Sequence, residues 1–156
     1  MTFAAVLDAG PLIHLAEIGS LELLSTCDTL LVPETVHEEV DAGGVPDGLA
    51  DRSYELVEVD ESRIEAEKLD AGERAAIAVA KERGVVLLTD DLAAREVALD
   101  ADVEVHGSIG VIALGYGSGL LDRDEATSRM RALQRETSLF VTKAVVERGI
   151  QMLDEQ

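Results

Sequence analysis

Four aliphatic residues in a row, Val85 to Leu88, run straight into Thr89, Asp90 and Asp91. A strand that is apolar at every position must be covered on both faces, and a parallel sheet between two layers of helices provides that cover. The pattern recurs along the chain. Phe3 to Leu7 ends at Asp8 and is broken by Ala9, Gly10 and Pro11; Leu30 to Val32 stops at Pro33; Tyr54 to Val59 alternates; Val103 to Val105 is short. Between these runs, helical spacing predicts helices over 12–24, over 34–41 with Val36 and Val40 four apart, and over 61–69. Further helices are expected from Asp70 to Arg83 before Gly84, from Asp91 to Leu99, over 107–114 ahead of a turn at 115–119, and over 123–135 and 142–153. Residues 42–53, with three Gly and a Pro, read as an exposed loop. Apolar strands alternating with helices specify right-handed crossovers, so the expected class is α/β: three layers, α-β-α, around a mostly parallel central sheet. At 156 residues the expectation is a single domain over 1–156.

Charge constrains partners. Thirty-two acidic residues against 13 basic give −19, and the basic side is 10 Arg to 3 Lys. Ordinary nucleic-acid binders carry a net basic face, because phosphate neutralisation drives their affinity. An acid excess beside a normal 47% of hydrophobic residues instead suits a halophilic chain in molar salt, where the Debye length is ~3 Å and self-repulsion is screened. No apolar run approaches the ~18 residues of a membrane span, and the start, MTFAAVLDAG, has no basic region before an apolar one. The expectations are no membrane association and a cytoplasmic location. Cys27, the single cysteine, allows no internal disulfide.

In an open parallel sheet, ligands bind beyond the carboxyl ends of the strands. Asp8 ends the first apolar run, Asp90 and Asp91 end the fourth, Glu39 lies on the helix after the second, and Glu73 opens the helix before the Val85 run. Each also has a structural reading. Asp8 and one of the Asp90–Asp91 pair are candidate N-caps, Asp70 and Glu73 have the spacing of a capping box, and Glu38 and Glu39 suit a solvated face. Gathered together, however, carboxylates repel unless a cation neutralises them. Mg²⁺ or Mn²⁺, which take oxygen ligands, would do so, and a phosphodiester would be a substrate for such a site. The carboxylates would need no unusual pKa. A phosphoryl-accepting receiver fits poorly because it wants an acidic pair at the first strand. An aspartyl phosphatase fits poorly because Gly10 stands where its second Asp would be.

Five segments in order resemble the PIN domain: VLDAGPLIHLA (6–16), VPETVHEEV (32–40), LDAGERAAIAVA (69–80), LLTDDLAAREVA (87–98) and HGSIGVIALGYGSGLL (106–121). The last segment, SLFVTKAVVERGIQML (138–153), resembles the final helix of the same group, the small stand-alone prokaryotic PIN-like proteins similar to VapC-like toxin ribonucleases. The resemblance implies a metal-dependent endoribonuclease, with RNA as substrate, a protein antitoxin as partner and a homo-oligomer, expected as a dimer. It implies catalytic and metal-binding roles for Asp8, Glu39, Glu73 and Asp91, with Asp90 a further ligand and Thr89 and Ser108 accessory; Ser108 stands where the family has Thr. Glu39 is preferred to Glu38 because it precedes Val40, and Asp91 to Asp90 because it stands two after Thr89. The alternative is a non-catalytic PIN-like module that binds nucleic acid or protein.

Among basic groups, Arg95 lies one turn after Asp91 and is a candidate phosphate contact, with a salt bridge as its alternative. Arg129, Arg131 and Arg135 form the densest basic segment and suit either a nucleic-acid backbone or pairing with Asp124, Glu125 and Glu136. His14, between Ile13 and Leu15, reads as a packing or surface residue, and general-base histidine chemistry finds no support.

Overall fold

The computed structural model describes residues 3–44 and 53–156. Five strands form one sheet: β1 (Ala4–Leu7), β2 (Thr29–Pro33), β3 (Glu55–Val57), β4 (Val86–Leu88) and β5 (Val105–His106), in the order β3-β2-β1-β4-β5. All four pairings are parallel. Helices α1 (Ala9–Glu17), α2 (Glu34–Ala42), α3 (Ala71–Arg83), α4 (Leu92–Asp100), α5 (Ser108–Gly117), α6 (Arg123–Glu136) and α7 (Lys143–Asp154) cover it.

Strand periodicity divides the core in two. Ala5 and Leu7 of β1, Leu30 and Val32 of β2 and Leu88 of β4 pack with α1, α2, α5, α6 and α7. The intervening Val6, Leu31 and Leu87 point the other way, onto Ala76, Ile77 and Val79 of α3 and Ala94 and Ala98 of α4. Successive side chains of a strand face opposite sides of the sheet, so two buried faces require the unbroken apolar runs seen in the sequence. The class is α/β with three layers, as expected.

Three expected elements differ. The helix over 12–24 is interrupted at Gly19, whose φ of 64° closes α1, and a 3-10 helix follows over Leu21–Thr26. Gly tolerates that left-handed conformation without steric cost. The helix over 61–69 reduces to one 3-10 turn, Glu61–Arg63, begun by Asp60 accepting from Ser62 N–H. Its buried apolar residues, Ile64 and Leu69, are five apart and lay no continuous stripe on a helix. The last strand is Val105–His106, with Val103 buried in the turn before it. Of the expected loop 42–53, Ala42 closes α2 and residues 45–52 lie outside the described residues.

The chain runs from β1 outward to β2 and β3, then returns to place β4 on the other side of β1. β1 and β4 therefore flank the point where strand order reverses, the position at which such sheets bind ligands. Leu7 pairs with Leu88, which puts Asp8 beside Thr89.

Candidate active site

Asp8 leaves β1 and caps α1, its Oδ1 accepting from Ala9 N–H at 2.8 Å. Thr89 leaves β4 and donates its hydroxyl to Asp8 Oδ2 at 2.7 Å. Both residues are buried, Asp8 with 5% exposure and Thr89 with none. The same Thr89 oxygen accepts from Asp91 N–H at 3.2 Å, so one hydroxyl joins the ends of the two central strands. Burial, foremost, raises Asp8 from 3.8 to about 6 against its two hydrogen bonds, and the charges of Asp70 and Asp91 add to the rise.

Asp91 caps α4 with Oδ1 on Ala94 N–H at 2.8 Å. Asp70 and Glu73 form the capping box of α3: Asp70 Oδ1 accepts from Glu73 N–H and Glu73 Oε1 from Asp70 N–H. Glu73 Oε2 is buried and has no donor among the described residues. Burial and the facing carboxyls of Asp91 and Asp70 raise Glu73 to about 8, over the opposing pull of the Asp70 N–H. The metal reading asks for no unusual pKa, yet Asp8, Glu39 and Glu73 are all raised in the cation-free chain. The cause is that these acids are stacked against one another and partly out of water.

Glu39 extends from α2 to the start of α3, where Oε1 accepts from Gly72 N–H at 3.0 Å. A Cβ on Gly72 would fall 2.8 Å from Glu39 Cδ, so a side chain there would push the Glu39 carboxyl out of its present position. Burial and the charges of Asp70 and Asp8 raise Glu39, against the Gly72 hydrogen bond.

A cavity of about 260 Å³ gathers Asp8, His14, Asp70, Glu73, Asp90 and Asp91. Asp90, which the sequence left without a structural task once Asp91 was the cap, is heavily bonded. Its Oδ1 accepts from Ser108 N–H at 2.6 Å, and Oδ2 accepts from Ser108 Oγ at 2.5 Å and meets His14 Nδ1 at 2.7 Å. Ser108 thus serves Asp90 at the start of α5 rather than standing free in the cavity. His14 is a hydrogen-bond partner of Asp90, not only a packing residue: four residues after Gly10, it turns toward the β4–α4 junction. Sequence reasoning missed it because its partner is 76 positions away. Asp70 was also missed as a site residue, because its cap role accounted for it.

Arg95 approaches Gly107 and makes no ion pair among the described residues, so the expected salt bridge is not formed there. Arg129 pairs with Glu22 at 2.5 Å and Arg131 with Glu147 at 3.8 Å. These partners lie on neighbouring elements, the 3-10 helix and α7, and not on α6 itself. Among the described residues no helix is long and apolar enough to cross a membrane.

The donor set is all-oxygen apart from one imidazole, which suits a hard divalent cation, and the orphaned Glu73 Oε2 is the kind of atom a cation would satisfy. In their present rotamers, no three His, Cys, Asp or Glu side chains among the described residues are placed to hold a metal together. Asp91, Glu73 and Glu39 each rest one oxygen on a backbone amide.

No curated protein matches the chain. Among solved structures it is similar to a PilT N-terminus domain protein, SSO1118, from the hyperthermophilic archaeon Sulfolobus solfataricus P2, with a TM-score of 0.61 and 18% identity. That likeness covers 71% of this chain and 92% of the other and establishes the fold. A family model described as PIN domain (DUF3368) matches residues 4–155. PIN domains are generally nucleases and generally use divalent metal ions. With acids at the ends of β1 and β4 and at the start of α3 lining one cavity at the switch point, Glu39 of α2 lying outside that lining, and the family match running almost end to end, this chain belongs to the PIN-domain family.

Proposed function

We propose that the chain is a Mg²⁺- or Mn²⁺-dependent endoribonuclease in which Asp8, Glu39, Glu73 and Asp91 hold the metal and Thr89 fixes Asp8. The observation that carries this reading is the buried Oε2 of Glu73, without a donor among the described residues and facing the Asp91 carboxyl, a cost that a cation would remove. A bound divalent ion would supply Lewis acidity toward the phosphodiester and ease loss of a proton from water. The chain's own part is to orient and to exclude. The Thr89 hydroxyl and Ala9 N–H hold the Asp8 carboxylate in one rotamer, the Gly72 amide steers Glu39, and Arg95 beside Gly107 offers a cation to a phosphate. The reading extends to a cytoplasmic, salt-adapted toxin that dimerises and is held by an antitoxin. The test is cleavage of structured and unstructured RNA in molar KCl with and without Mn²⁺: wild type should cut only with the ion and Asp8→Asn should not cut. Cleavage by Asp8→Asn would overturn the reading.

A second reading, a non-catalytic nucleic-acid-binding or protein-interaction module, is favoured by the absence of a ready-made ligand triplet among the described residues and by the charge of −19. Calorimetric Mn²⁺ titration separates the two, since such a module would bind Mn²⁺ no better than its Asp8→Asn variant.

A further inference from the structure

His14 is half-buried, lines the cavity beside Asp8, Glu73 and Asp91, and has Nδ1 at 2.7 Å from Asp90 Oδ2. A carboxylate only accepts, so the bond makes Nδ1 a protonated nitrogen, and in the neutral ring Nε2 is then the lone-pair nitrogen. Among the described residues Nε2 makes no hydrogen bond. Asp90 cannot turn away to release the ring, because the amide and hydroxyl of Ser108 hold both its oxygens and its side chain is 6% exposed. Gly10 faces the same pair: a Cβ there would stand 3.4 Å from Asp90 Cβ and 3.7 Å from His14 Cε1, so the missing side chain leaves the ring open toward the cavity. An imidazole with one nitrogen given to a buried carboxylate, in a cavity otherwise lined by acidic side chains, shares the support of metal-ligating histidines, whose second N–H is almost always bound in this way.

We propose that His14 Nε2 is a nitrogen donor to the divalent cation of this cavity, with Asp90 as its positioning residue, and that it biases the site toward Mn²⁺ over Mg²⁺. This rests on the metal-dependent reading above. Mg²⁺ holds oxygen ligands and water and gains little from an imidazole, whereas Mn²⁺ accepts nitrogen more readily. Asp90 is thereby moved from the ligand set to its support: with three donors already on it, it orients the imidazole and does not hold the ion.

The experiment is Mn²⁺ titration of the full chain in molar KCl, read by calorimetry and by pulsed electron paramagnetic resonance for ¹⁴N coupling to the bound ion. Wild type should bind Mn²⁺ with a directly coordinated imidazole ¹⁴N signal. His14→Gln should still bind Mn²⁺, about tenfold or more weakly, without that signal and with little change toward Mg²⁺. Its thermal unfolding, followed in parallel, should stay cooperative. Asp90→Asn should weaken the coupling while leaving Nε2 in place. If Mn²⁺ binds in an Asp8-dependent way with no ¹⁴N coupling, or if the coupling persists in His14→Gln, the histidine assignment is wrong and the metal reading stands. If wild type binds Mn²⁺ no better than Asp8→Asn, both fall.

Discussion

Asp8→Asn should make the cation-free protein more stable while removing its metal site. In the folded chain the Asp8 carboxyl titrates at about 6 against an ordinary 3.8, chiefly through burial. That rise, at ~1.4 kcal/mol per unit, burdens the fold by about 3 kcal/mol once the group is charged. The sign follows from proton binding. Between pH ~4 and ~6 the native state keeps a proton that the unfolded chain has lost, so stability declines with rising pH and the burden is complete above ~6. Asn is neutral throughout and nearly the same shape. Its Oδ1 can accept from Ala9 N–H, and its amide can donate to the Thr89 hydroxyl oxygen, replacing the bond that Thr89 donates to Asp8 with one of opposite direction. In denaturant unfolding with a chelator, Asp8→Asn should therefore gain about 3 kcal/mol over wild type at pH 8 and close to nothing at pH 4. In melting temperature that is a rise of roughly 6–12 °C for a chain of this size. Saturating Mn²⁺ should reverse the ranking by stabilising wild type alone. Equal stability at pH 8, or a loss, would refute the claim that this carboxylate is held at a cost that only a cation relieves.

Thr89→Val deletes the donor to Asp8 and the acceptor for Asp91 N–H. It should cost about 1–3 kcal/mol at pH 8 and less at pH 4, measured by urea unfolding. Gly72→Ala places a methyl against the Glu39 carboxyl while gaining up to ~1 kcal/mol of helix propensity. The melting temperature should move by only a few degrees and Mn²⁺ affinity should drop, a separation that calorimetry beside thermal unfolding would reveal. Glu73→Gln removes the acid that titrates at about 8. Its cation-free stability between pH 5 and 8 should fall less steeply than that of wild type, whose folded state keeps on Glu73 a proton that the unfolded chain has lost, and parallel slopes would count against the assignment.

Alternation of buried strands and helices was readable because each strand needs two apolar faces, and an uninterrupted run such as Val85–Leu88 has few other uses. Helix ends were readable where caps are local: Asp70 with Glu73, Gly84 after Arg83. Boundaries failed where one residue's φ decides, as at Gly19, or where apolar spacing was too wide for a helix, as at Ile64 and Leu69. At the site, acids next to strand ends could be picked out from position alone. The His14–Asp90 pair could not, since nothing in either residue's neighbourhood announces a partner across the sheet. Nor could the raised carboxyls, because desolvation belongs to the assembled cavity and not to any segment.

Cap and ligand looked like competing readings of the same acids, yet the structure makes them complementary. α1, α3, α4 and α5 all begin at this cavity, with Asp8, Asp70 and Asp91 capping the first three and Asp90 bonded to the first residue of the fourth. The N-terminus of a helix carries roughly half a positive charge, so several of them aimed at one place offset part of the repulsion among the acids and let the chain fold before any ion arrives. Asp91, Glu73 and Glu39 each rest a single oxygen on a helix amide and keep the second uncommitted among the described residues. Capping with one oxygen fixes where the other can go. A carboxylate at a helix start is therefore better placed to receive a cation than one on a free surface chain, and the capping spacing that argued for a merely structural role is part of what builds the site.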